Sequence, residues 1–83
     1  MNILKTILVV DDEPLYIRLL EINLKIEGYE VITATNGLEA LEIVSNQSPD
    51  LILLDVMMPK LDGVTKCELI RQFSNVPVIM VTA

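Results

Sequence analysis

Two short apolar runs in this chain end in carboxylates. Leu4-Lys5-Thr6-Ile7-Leu8-Val9-Val10 runs straight into Asp11-Asp12-Glu13, and Leu51-Ile52-Leu53-Leu54 ends in Asp55. A carboxylate is costly to bury and adds nothing to a core. If the two runs are strands lying side by side and parallel, Asp11, Asp12 and Asp55 converge in one pocket. Carboxylates at close range repel, so such a pocket holds a proton or attracts a cation. The chain has no histidine, and with oxygen ligands alone a hard divalent ion such as Mg²⁺ is the natural occupant.

The elements that must position these residues follow from the pattern around them. Apolar runs alternate with helix-period segments, as in βαβ units and a parallel sheet. Pro14 suits the first turn of a helix, and Asp12 or Glu13 suits its positive end. From Leu15 to Glu27 apolar side chains recur at 15, 19, 22 and 26, with a second row at 17, 20 and 24. That stripe is wider than one sheet contact requires and predicts a further neighbour beside the helix. Gly28 fits a left-handed cap at its end.

Tyr29 to Ala34 reads as a second strand. Asn36, with Glu39 three residues on, caps a second helix whose buried face is expected at Leu38, Leu41 and Val44. Ser45 to Asp50, with Pro49, reads as a polar loop. Leu51 to Leu54, with no polar interruption, suits a central strand covered on both faces. A third helix is expected to open at Asp62-Gly63, turning Val64, Cys67, Ile70 and Phe73 inward, and to break at Ser74-Asn75. Pro77 to Thr82 is a fourth apolar strand, and there is no internal repeat, low-complexity tract or linker.

With 83 residues the chain is one domain at most. Its mean hydropathy is +0.52, yet no apolar stretch approaches the roughly 20 residues needed to cross a bilayer. The N-terminus lacks the features of a signal peptide. A lone Cys67 makes no internal disulfide, which points to a reducing cytoplasm. A net charge of −6 works against direct binding to nucleic acid or to an anionic membrane.

Taken together, these motifs resemble the receiver domain of bacterial two-component response regulators. The resemblance rests on Ile7 to Glu13, Gly28 to Val31, Asn36 to Leu41, Asp50 to Pro59, Asp62-Gly63 and Pro77 to Ala83, in that order along almost the whole chain. It implies an α/β, flavodoxin-like fold with a parallel sheet of order 2-1-3-4 flanked by three helices. It also implies Mg²⁺-dependent phosphorylation on an aspartate by a sensor histidine kinase. Asp55 then resembles the phosphoacceptor. Asp12, Asp55 and the backbone carbonyl of Met57 resemble the Mg²⁺ ligands, with Asp11 reaching the ion through water. Thr82 corresponds to the switch hydroxyl that bonds the new phosphoryl group, and Pro59 and Gly63 shape the loop over the site. A carboxylate can attack phosphorus to give an acyl phosphate once its negative neighbours are balanced by the metal.

The family has five strands and five helices, whereas residues 1–83 supply four strands and three helices. The expectation is therefore a truncated receiver, an incomplete fold lacking the fourth helix, the fifth strand and the fifth helix. The family's lysine after the fifth strand has no counterpart, since Lys60 and Lys66 lie on the wrong connection and Lys5 opens the first strand. Switching is expected to be impaired. The fourth strand is expected at a sheet edge without charges to protect it, which favours self-association as a dimer or swapped oligomer. The alternative function is a non-signalling structural fragment that self-associates through that strand. An aspartyl phosphatase is disfavoured, because Val56-Met57 stand where such enzymes carry a second acid–base carboxylate, so the chain is read as not an enzyme.

Singly, several of these residues have plainer readings. Asp12 alone is a helix-start acid, Thr82 a strand-end threonine, Met57, Met58 and Met80 packing residues, and Cys67 a core thiol.

Overall fold

A computed structural model describes residues 4–55, 71 and 76–81. Its elements run β1 (Thr6–Val10), α1 (Pro14–Ile26), β2 (Glu30–Ala34), α2 (Gly37–Asn46), β3 (Leu51–Asp55) and β4 (Val78–Val81). The four strands form one parallel sheet in the order β2-β1-β3-β4, as the alternation of strand and helix patterns requires. The expected third helix lies outside the described residues, apart from Arg71, which is helical.

The core is split by the sheet. On one face Leu8, Val10, Ile52 and Leu54 pack with Ala40 and Val44 of α2. On the other, Ile7 and Val9 pack with Ile17 of α1, flanked by Leu20 and Leu24. Every residue from Ile7 to Val10 is 3% exposed or less, which explains why this strand reads as unbroken apolar sequence rather than as an alternation.

Of the two apolar rows on α1, the row at 17, 20 and 24 meets the sheet. The row at Leu15, Leu19, Ile22 and Ile26 remains exposed, with Leu15 and Ile26 both at 76%. The helix ends in the two hydrogen bonds of a Schellman turn, Tyr29 N–H to Leu24 O and Gly28 N–H to Lys25 O, each 3.0 Å. Gly28 sits at φ +97°, and a Cβ there would meet nothing within 4 Å. Glycine is needed for its backbone angle, not for space.

Two expectations for α2 are corrected. Leu38 does not belong to the buried face and is 77% exposed. Val44 is buried as expected, with Gly37 and Ala40 beside it and Leu41 packed partly buried against the same cluster, and at about 100° per residue Leu38 lies well round the axis from this stripe. The helix also continues through Ser45 and Asn46, which pattern alone assigns to the loop. Gln47 N–H still donates to Ile43 O at 2.7 Å, so polar side chains at its end leave the helical hydrogen bonds intact. Its start is as expected: Asn36 Oδ1 accepts from Glu39 N–H at 2.8 Å, while Glu39 Oε1 accepts from Thr35 N–H at 2.9 Å.

Candidate metal centre

β1 and β3 are in register from Ile7↔Leu51 to Val10↔Leu54. Two strands of matched phase therefore finish together, and the next residue on each is acidic: Asp11 and Asp55. Asp12 follows on the turn into α1. Ligand oxygens from Asp11, Asp12 and Asp55 all lie within 4.8 Å of one another. The convergence expected from two strand ends is present.

The three carboxylates occupy different environments. Asp11 is buried at 3% exposure, Asp55 is half-buried and Asp12 exposed. Asp11 is held by two hydrogen bonds. Its backbone N–H donates to Ala34 O at 3.1 Å, and its Oδ1 accepts from Glu13 N–H at 2.9 Å. The second bond is an Asx turn that fixes the entry into α1, whose N-cap residue, Glu13, makes no side-chain cap of its own.

Burial pushes the Asp11 carboxyl above its ordinary value of 3.8. The Glu13 N–H bond opposes this, while the nearby carboxylate of Asp55 and the charge of Asp12 add to it. The pocket thus favours taking up positive charge, as a proton or as a cation.

The donor set fits a hard cation. All three groups offer carboxylate oxygen, and opposite oxygens around Mg²⁺ stand about 4.2 Å apart, close to the spread of this cluster. Met57 and Thr82 lie outside the described residues, as do Pro59, Gly63 and Cys67. Among the described residues, no helix is long and apolar enough to cross a membrane.

Pattern alone gives Asp50 no role and places it in a loop. In the structure Asp50 Oδ2 accepts from Thr6 N–H at 2.7 Å, tying together the starts of the two strands that carry the site. The available signal was spacing: Thr6 precedes Asp11 by as many residues as Asp50 precedes Asp55.

Comparison with known proteins gives one consistent family. The model of the response regulator receiver domain matches residues 7–83. A probable transcriptional regulator, ycf27, of Porphyra purpurea is 60% identical over 77 residues, covering 93% of this chain and 32% of that protein. The alkaline phosphatase synthesis transcriptional regulatory protein PhoP of Bacillus subtilis is 52% identical over 80 residues, covering 95% of this chain and 33% of that protein. This chain thus spans about a third of the length of these curated relatives. Among solved structures, the response regulator TrrA of Thermotoga maritima, in complex with Mg²⁺ and BeF, aligns with a TM-score of 0.89 at 43% identity, covering 96% of this chain and 70% of that one.

Proposed function

This chain belongs to the response regulator receiver domain family, and on that premise we propose that it accepts a phosphoryl group on Asp55 from a sensor histidine kinase. The observation that carries the reading is the meeting of Asp11, Asp12 and Asp55 within 4.8 Å at the ends of two parallel strands. The Mg²⁺-BeF complex of the Thermotoga relative adds support. In the proposed assignment Asp12, Asp55 and the backbone carbonyl of Met57 hold Mg²⁺, with Asp11 reaching it through water. Thr82 supplies the hydroxyl that answers phosphorylation.

When bound, the ion supplies charge neutralisation on the transferring group. The remaining work belongs to the protein. A carboxylate oxygen of Asp55 forms the new bond to phosphorus in line with the departing group, whose bond to phosphorus breaks and which leaves with that electron pair, giving an acyl phosphate. Asp11 keeps its orientation through the Glu13 and Ala34 hydrogen bonds. Burial and the neighbouring carboxylates raise its pKa, and a cation taken up there lessens repulsion around the nucleophile.

The test is incubation with acetyl phosphate and Mg²⁺ followed by intact-mass measurement. One phosphoryl group should be gained by the parent chain and none by Asp55→Asn. Gain by Asp55→Asn as well would place the acceptor elsewhere and end this reading.

A second reading concerns the 83-residue polypeptide by itself and is favoured by β4. That strand is the edge of the described sheet, and Ile79 on it is 51% exposed. Ile52 N–H donates to Pro77 O at 3.0 Å, a phase that turns the backbone groups of Val78 and Met80 away from β3. Pairing of this edge with a second copy about a two-fold axis would join two sheets. Light scattering that finds only monomer at about 50 µM would exclude this reading.

A further inference from the structure

We propose that Asp50 is a positioning residue for the acidic site: by gripping Thr6 where β1 and β3 start, it sets the register that brings Asp11 and Asp55 together where they end. Its relevance to phosphate acceptance rests on the reading above, whereas the grip itself does not.

Asp50 engages both backbone groups of Thr6. Its Oδ2 accepts from Thr6 N–H at 2.7 Å, and its own N–H donates to Thr6 O at 2.8 Å. From there to the site the two strands count equally, positions 6 to 11 and 50 to 55, five steps each. The ladder between is continuous from Ile7↔Leu51 to Val10↔Leu54, so an offset at one end is carried to the other.

A lock of this kind is needed because the apolar pattern cannot supply it. Where a sheet has one wet face, alternation penalises a slip, since every side chain would change sides. Here Ile7-Leu8-Val9-Val10 and Leu51-Ile52-Leu53-Leu54 are apolar at every position, and both sheet faces are covered by hydrophobic clusters. A slipped pairing would still bury apolar residues. It would, however, shift Asp55 by about 3.3 Å along the strand and turn its side chain to the other face. Polar contacts add a penalty against the slipped register, and the Asp50 side chain provides one between these two strands. Thr6 adds a tie to β2, its Oγ1 donating to Glu30 Oε2 at 3.4 Å.

The test compares wild type with Asp50→Ala, Asp50→Asn and Asp50→Glu, each well below its unfolding midpoint. Mg²⁺ titration followed by amide chemical shifts reads the site. Cross-strand NOEs between Val10 and Leu54 in metal-free protein read the register. Asp50→Ala should weaken Mg²⁺ binding by about fivefold and diminish those NOEs, as expected for loss of one hydrogen bond that orients the ligands. Asp50→Asn keeps an acceptor for Thr6 N–H and should stay within about twofold of wild type. Asp50→Glu keeps the charge but misplaces the oxygen, so it should resemble Asp50→Ala, and it serves in place of that variant if the alanine chain does not fold. Wild-type affinity and NOEs in the variants lacking the acceptor would overturn the proposal, even with a lowered melting temperature. So would an Asp50→Asn as weak as Asp50→Ala beside a normal Asp50→Glu, which would assign the effect to charge. If wild type itself bound no Mg²⁺, the phosphoacceptor reading would fall, and the NOEs alone would decide the role of Asp50.

Discussion

Asp11 and Asp55 leave neighbouring parallel strands side by side, with carboxylate oxygens within 4.8 Å of each other. Two carboxyl groups so placed are a store of repulsion that a proton or a cation relieves. Most of the chemistry expected of the chain follows from that pair, and it gives the first prediction.

Folding raises the pKa of Asp11 above 3.8, so its neutral form favours the folded state. This contribution to metal-free stability is complete below the unfolded value and is lost as pH rises through the folded one. Asp11→Asn keeps Oδ1 as acceptor for Glu13 N–H without the charge. At pH 7 without metal it should melt about 4 °C above wild type. Thermal scans across pH should show the gap closing as wild-type Asp11 becomes protonated; a gap independent of pH would contradict the mechanism.

Asp12 is exposed, so its loss should cost the fold little and the metal site much. Mg²⁺ at ten times its wild-type dissociation constant should stabilise wild type by about 1.4 kcal/mol. Asp12→Ala, with affinity weakened by about tenfold, should gain only about 0.4 kcal/mol at the same concentration. Chemical denaturation with and without Mg²⁺ provides both values.

Gly28→Ala should destabilise by about 1 kcal/mol, because the cost arises from the positive φ and not from a clash. Urea unfolding checks this. A Gly28→Asn variant, better suited to that angle, should lose less.

Ile79→Lys places a charge on the β4 edge, where the side chain is already half exposed. If that edge mediates self-association, the variant should scatter as monomer at about 50 µM while melting within about 2 °C of wild type. Undiminished association would move the contact elsewhere, with the exposed row of α1 as the next surface to examine.

How much of this was legible beforehand depends on the kind of signal. Unbroken apolar runs ending in acids marked β1, β3 and their meeting point, because burial on two faces leaves no polar residue until the strand emerges. Asn36 and Glu39 marked the start of α2, because a cap is a local matter of three residues. Leu38 misled: a leucine at the helix start looks buried by type, yet which side of α2 meets the sheet is decided by Gly37 and Ala40, small residues that carry little signal of their own. The two rows on α1 were visible as excess width, but sequence could not say which of them the sheet would take. Asp50 was missed because its value lies in a contact 44 positions away with Thr6.

The equal spans from Thr6 to Asp11 and from Asp50 to Asp55 make strand length itself a ruler. One residue inserted in either strand alone would lengthen one arm and strand its carboxylate on the wrong side, whereas a matched pair of insertions would move both tips outward together. Tolerance to single indels in this domain is therefore expected in its connections and not in β1 or β3.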